Sequence, residues 1–158
     1  MPRKRSSRWK PDANATAGAR GIMMLTRPTA RAVHAPSRLS AEQSITGGAK
    51  YMRRIEQELP AAVKPPDRHY LALAAYNIGY VHLADAMQLT KRLGRNPDLW
   101  TEVEKTLPLL TERRYYDTLK QGYAPGIRAV RYVHRIRGDA DIIRHVVAAS
   151  RRSERRAG

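Results

Sequence analysis

A chain of 158 residues with a net charge of +16 has room for a single hydrophobic core and not for two. It holds no cysteine, which excludes disulfides and thiolate metal sites, and no apolar run approaches the roughly 20 residues a membrane-spanning helix needs. The basic start (Arg3, Lys4, Arg5, Arg8, Lys10) is not followed by the apolar stretch of an export signal. Half of the charge excess lies at the ends: five cations in residues 1–10 and a net +3 in residues 150–158, which leaves +8 for the body. Such tails attract polyanions of any kind, so non-specific polyanion binding through them is expected. Alanine and leucine are plentiful, β-branched runs are scarce and phenylalanine is absent, a composition that leans towards helix.

In chain order, residues 10–19 are small and turn-rich. Gly18 and Gly21 flank the entry to an expected apolar helix, Ile22-Met23-Met24-Leu25, which Pro28 interrupts or restarts. A short helix is expected through Ala30–Val33. Ser40-Ala41-Glu42-Gln43 matches a capping box, with Ser40 as cap and Gln43 reaching back. The helix it opens would bury Ile45, Gly48, Ala49, Met52, Ile55 and Leu59. Pro65-Pro66-Asp67 starts the next, apolar nearly all round through Leu71, Leu73, Ala74, Ala75 and Ile78, and hence the central one. Gly79 breaks it. A further helix follows to Gly94, placed as a C′ glycine. Asn96-Pro97-Asp98 signals another start, with an amphipathic segment over 98–110. After a loop with Tyr115 and Tyr116, Pro125-Gly126 leads into a last helix whose Ala129, Tyr132, Val133 and Ile136 face the core. Arg128, Arg131 and Arg135 form a basic stripe beside them. No alternating strand pattern appears, so the expected class is all-α, with seven or eight short helices.

Common catalytic signatures are missing. His34, His69, His82, His134 and His145 lack metal-ligand spacing, and no phosphate- or dinucleotide-binding glycine pattern is present. No metal and no cofactor are expected. What carries information is three collinear stretches. The first is Gly18-Ala19-Arg20-Gly21-Ile22-Met23-Met24-Leu25-Thr26. The second is Ala75-Tyr76-Asn77-Ile78-Gly79, preceded by Gly47-Gly48-Ala49-Lys50-Tyr51. The third runs from Pro108-Leu109-Leu110 through Tyr115-Tyr116 and Gly122-Tyr123-Ala124 to Ala129-Val130-Arg131-Tyr132-Val133. Taken singly, each has a bland alternative: a tight turn before a core helix, a buried Tyr–Asn pair, core tyrosines.

Together the three resemble the SLT-type, lysozyme-like peptidoglycan lytic transglycosylases, whose G-x-x-G-x-M-(Q/M)-L and A-Y-N-x-G motifs they match in order. The resemblance spans roughly residues 6–137. It implies an all-α, lysozyme-like domain that takes peptidoglycan glycan strands as its partner. It also implies that Met23, Met24, Tyr76, Asn77, Tyr115 and Tyr132 line the substrate site. Methionines give an adaptable apolar wall, and a tyrosine ring with a neighbouring amide suits a sugar and its N-acetyl arm. By the same resemblance the location would be periplasmic, at the outer membrane. The expected division is a basic N-terminal remnant over 1–8, the transglycosylase-like domain over 9–138, and a basic helix or tail over 139–158.

The family's reaction cleaves the β-1,4 link between N-acetylmuramic acid and N-acetylglucosamine. One glutamate protonates the glycosidic oxygen and then assists attack by the muramyl 6-hydroxyl, giving a 1,6-anhydro end. An internal nucleophile is why one carboxyl suffices where most glycosidases use two. That glutamate lies in an E-S-x-W-x-P-x-A context. Here the matching residues are Ser6-Ser7-Arg8-Trp9-Lys10-Pro11-Asp12-Ala13, and Ser6 stands in the glutamate's place. A serine hydroxyl is too weak an acid for this step, so activity as written is expected to be impaired; Glu42, at a helix start, is a poor substitute. Five residues precede Ser6, fewer than the glutamate-bearing helix of the family would need, so a truncated, frame-shifted or degenerate copy is expected. Gly138-Asp139-Ala140 also departs from the family's aromatic pattern. The alternatives are a non-catalytic peptidoglycan binder and a basic protein binding nucleic acid non-specifically through its tails and arginine stripe, without any base-reading motif.

Overall fold

The computed structural model describes residues 18–157. Ser6 and the serine-tryptophan stretch around it lie outside the described residues. The helices are α1 (Arg27–Ala32), α2 (Ala41–Glu58), α3 (Asp67–Ile78), α4 (Tyr80–Arg92), α5 (Trp100–Thr106), α6 (Arg113–Tyr116) and α7 (Gly126–Ala157), with a 3-10 turn over Leu107–Thr111 between α5 and α6. No strand forms among the described residues. The all-α class holds, although α7, at 32 residues, is far longer than the short helices expected. The described residues divide into two compact units, with the boundary between Glu58 and Leu59.

In the first unit, Ile22–Leu25 is not a helix. Arg20 and Leu25 pair across an isolated antiparallel bridge, each N–H donating to the other's carbonyl at 3.0 Å, and Met24 N–H closes the turn on the Gly21 carbonyl. Met24 takes a left-handed φ of 52°, which ends any helical run. α1 begins after Thr26, whose hydroxyl accepts the Thr29 N–H, and Pro28 sits in the first turn, where its missing N–H leaves no bond unmade. In the capping box, Gln43 N–H donates to Ser40 Oγ as expected. The Gln43 side chain, however, reaches past Ser40 to accept the Ser37 N–H at 2.7 Å. The buried line of α2 is Ser44, Gly47, Gly48 and Ile55. Ile45, expected inside, is 46% exposed, because a small-residue face lets the backbone come close where bulky side chains were looked for.

The second unit is built around α3, which packs on α4, α5 and α7. Leu71, Ala72, Ala74 and Ala75 are fully buried, and the small alanines let the neighbouring helices approach at interior packing density. Leu83, Ala86 and Leu89 of α4, Trp100 and Val103 of α5, and Ala129 and Val133 of α7 complete this core. Asp67, in the first turn of α3, also accepts the Trp100 N–H at 2.8 Å through its Oδ1. It thereby satisfies one of the orphan donors at the start of α5. α4 ends as expected: Gly94 N–H returns to Lys91 and Arg95 N–H to Thr90, the double closure of a Schellman turn. The amphipathic segment over 98–110 is real but changes character, α at first and 3-10 from Leu107. Arg128, Arg131 and Arg135 are exposed.

Candidate functional site

Met23 and Met24 stand on the turn closed by the Arg20–Leu25 bridge, and both are half-buried. Three fixings hold this turn within the first unit. Met23 N–H donates to the buried Ser44 Oγ at 3.1 Å. The Arg38 guanidinium donates to the carbonyls of Gly18 (2.8 Å) and Leu25 (3.1 Å). Gly21 has φ +81° and lies so close to Arg38 that an added Cβ would fall 1.7 Å from its carbonyl oxygen. A Cβ at Gly48 would come within 2.8 Å of Met23 Cβ, so α2 approaches the methionine turn only because it has no side chain there. The glycines and methionines quoted from the sequence are therefore one local construction.

In the second unit Tyr76 is half-buried on α3 and the next residue, Asn77, is exposed at the end of that helix. Gly79, with φ +94°, turns the chain into α4 there. Tyr132 is half-buried on α7, the helix packed on α3, so Tyr76 and Tyr132 belong to adjoining helices. Burial pushes the Tyr132 hydroxyl above its ordinary pKa, and the cation of Arg135 opposes the rise; the Arg135 guanidinium lies 5.9 Å from the ring centroid. Tyr115 lies on α6 with the Arg114 guanidinium 4.7 Å over its ring, near enough for a cation–π contact.

Further aromatic groups of this unit were not singled out as site residues. Tyr116 and Tyr123 meet edge to face at 5.9 Å, with Tyr123 59% exposed, and Arg137 lies 4.4 Å over Tyr70. The sequence signal for the first pair was the spacing of tyrosines through 115–123. Tyr70 had none, because its cationic partner is 67 positions away on α7.

A general acid for a glycosidic oxygen needs a carboxyl whose pKa is raised. Glu102 goes the other way: a hydrogen bond from Lys105 at 2.8 Å holds it below the usual carboxylate range. Asp85 is buried, but its Oδ2 is spent accepting the Gln121 N–H at 2.7 Å, which fastens the loop before α7 to α4. Glu42 is exposed in the first turn of α2. No group of three or more His, Cys, Asp or Glu suited to a metal occurs among the described residues.

The first unit also holds an open cavity of about 530 Å³ lined by Arg27, Arg31, His34 and Arg38 with Ala30, Ala35 and Pro36. It includes neither methionine. The Arg38 guanidinium there is pushed below its ordinary pKa, first by desolvation and then by the cations of Arg27 and Arg20. The cavity's polar lining is entirely basic.

The family model of the transglycosylase SLT domain matches residues 4–99. Over 137 residues, 87% of this chain, the sequence is 53% identical to the membrane-bound lytic murein transglycosylase F of Saccharophagus degradans. It is 49% identical over 138 residues to the membrane-bound lytic murein transglycosylase F 2 of Alkalilimnicola ehrlichii. It is 48% identical over 140 residues to the corresponding protein of Idiomarina loihiensis. The chain spans 27–31% of the length of these relatives. With a family model over most of its length, and with the glycine–methionine turn and the Tyr76–Asn77 pair among the matched residues, the chain belongs to the transglycosylase SLT domain family.

Proposed function

We propose that this chain is a peptidoglycan-directed lytic transglycosylase domain whose chemistry is impaired as written. The observation that carries the proposal is the likeness to murein transglycosylases, 48–53% identical over 87–89% of the chain. In this proposal the glycan strand contacts Met23, Met24, Tyr76, Asn77, Tyr115 and Tyr132. The methionine thioethers and tyrosine rings supply apolar faces for pyranose rings. Asn77, exposed at the end of α3, offers both a donor and an acceptor to an N-acetyl group. Domain limits of 9–138 for the transglycosylase-like part, with 1–8 and 139–158 as basic flanks, belong to the same proposal, as does a place in the periplasm at the outer membrane.

Ser6 decides the chemistry. The leaving oxygen must receive a proton as the glycosidic bond breaks, and the muramyl 6-hydroxyl must lose one as it attacks the anomeric carbon. A carboxyl with a raised pKa does both in turn. A serine hydroxyl does neither near neutral pH, and loss of a general acid–base group costs about 10²–10⁴-fold in rate. The carboxylates placed above offer no replacement: Glu102 is acidified and Asp85 is committed to Gln121. Ser6 also favours one second reading, a binder that holds glycan strands without turnover.

The test is release of 1,6-anhydro-muropeptides from purified sacculi by the chain and by Ser6→Glu. The expected result is a silent parent and an active variant. Release by the parent would overturn the role given to Ser6. Silence from both, with sacculus binding retained, would favour the non-catalytic binder, and silence with no binding would sink both readings.

A further inference from the structure

Beyond Ile136, α7 continues for five further turns, and its core-facing line continues with it. At 100° per residue, Ala140, Ile143 and Val147 lie on the same side as Ala129, Val133 and Ile136. Ile142, Val146 and Ala149 extend that side to about half the circumference. These side chains are not covered: Ile142 is 64% exposed, Ile143 61%, Val146 59% and Val147 42%. The opposite half presents Arg137, Arg144, His145, Arg151, Arg152 and Arg155, all exposed. From 142 to 152 there are three arginines and no acidic residue. Asp141 does pair with Arg144 at 2.7 Å, but both partners are more than 60% exposed, and such a pair is held only weakly.

We infer that residues 140–152 of α7 form an interfacial helix that docks on a bilayer of anionic phospholipid, aliphatic half inward and arginines towards the head groups. Three observations favour this occupant over others. An apolar arc of half the helix is wider than the narrow seam of a two-stranded coiled coil. A second copy would bring arginine rows together without acidic partners between 142 and 152, in a chain already at +16. A nucleic acid would meet the arginines but leave four large aliphatic side chains in water. A lipid surface takes both halves, and a strongly basic polar face beside an aliphatic one is what marks an interfacial helix. No helix of the described residues is long and apolar enough to cross a membrane, so this helix would lie on the surface. The inference does not depend on the murein proposal, because none of these residues is among those assigned to the glycan.

The experiment is co-sedimentation of the full chain with vesicles of phosphatidylglycerol and phosphatidylcholine in equal parts, and with phosphatidylcholine alone. Binding to the mixed vesicles should exceed binding to neutral ones by about ten-fold or more, since each basic residue near an anionic surface contributes a factor of about five. Ile143→Glu/Val147→Glu and Arg151→Glu/Arg152→Glu should each lower the partition coefficient by at least about ten-fold. Both pairs are solvent-facing, and unchanged thermal unfolding would show that the fold is kept. Equal binding to both vesicle types would overturn the inference, as would variants that bind like the parent. So would a concentration-dependent dimer abolished by Ile143→Glu/Val147→Glu, which would assign the face to a second copy. So too would oligonucleotide binding lost with the arginines while vesicle binding stays absent.

Discussion

Replacing Gly21 with alanine should cost far more than the same change at Gly18, and the difference measures how firmly the methionine turn is built. Both glycines have left-handed backbones, φ +81° and +74°, so both variants carry a penalty of about 1–2 kcal/mol for placing a Cβ there. Both also lose the same unfolded-chain entropy, which cancels in the comparison. At Gly18 no described residue lies within 4 Å of the added atom. At Gly21 the Arg38 carbonyl oxygen would be 1.7 Å away. That neighbour is backbone, and it belongs to the residue whose guanidinium holds the Gly18 and Leu25 carbonyls. Yielding would strain both bonds, adding about 1–3 kcal/mol of overpacking. The expected gap is therefore about 2 kcal/mol, or about 4–8 °C in Tm for a chain of this size. Urea unfolding followed by circular dichroism reads it directly. If the two variants agree within about 0.5 kcal/mol, the Arg38 carbonyl moves freely and the turn is not the rigid support described.

Asp67→Ala should destabilise by about 1–3 kcal/mol, because the Trp100 N–H loses its acceptor at the buried start of α5; Asp67→Asn, which keeps an acceptor, should recover part of it in the same unfolding assay. Tyr132 titrates above its ordinary pKa of 10, so the folded state holds its proton more tightly than the unfolded chain. Its stabilising contribution is complete below about pH 10 and is lost as pH rises through the folded value, which Tm against pH between 8 and 12 would follow. Since the Arg135 cation opposes the shift, Arg135→Ala should move the Tyr132 phenolate transition upward in an ultraviolet titration. A downward move would contradict the placement of that cation.

The helix boundaries legible in the sequence were those set by local chemistry. Gly79 and Gly94 ended helices where they were expected to, and Ser40 capped α2. The turn at 20–25 was legible only in part: Gly21 is a residue type suited to its left-handed backbone, but Met24 takes that conformation as well, and methionine carries no turn signal. The buried face of α2 was misjudged in part, for a related reason. Gly48 and Ile55 are buried as expected, but hydrophobic periodicity also weights Ile45 and passes over Ser44 and Gly47, which are buried instead and whose contribution is the space they leave. Bonds such as Asp67 to Trp100 and Asp85 to Gln121 join residues 33 and 36 positions apart, and no pattern within a window reports them. For the candidate site, motif order identified the methionine turn and the Tyr76–Asn77 pair as units. The arginines stacked on Tyr70, Tyr115 and Tyr132 emerged only with the fold.

The length of α7 has a consequence for how the molecule breathes. Its first three turns carry Ala129 and Val133, which have no accessible surface, so their amides can exchange with solvent only when the second unit opens as a whole. Past Gly138 the helix keeps its own hydrogen bonds but little else, and most of a helix's stability in a protein comes from the packing that this stretch lacks. Its amides should exchange progressively faster towards the C-terminus, through fraying that leaves the core untouched. One continuous helix thus joins a segment locked to global unfolding with a segment that melts and re-forms on its own, and Gly138, the residue with the weakest helical preference between them, marks where that change falls.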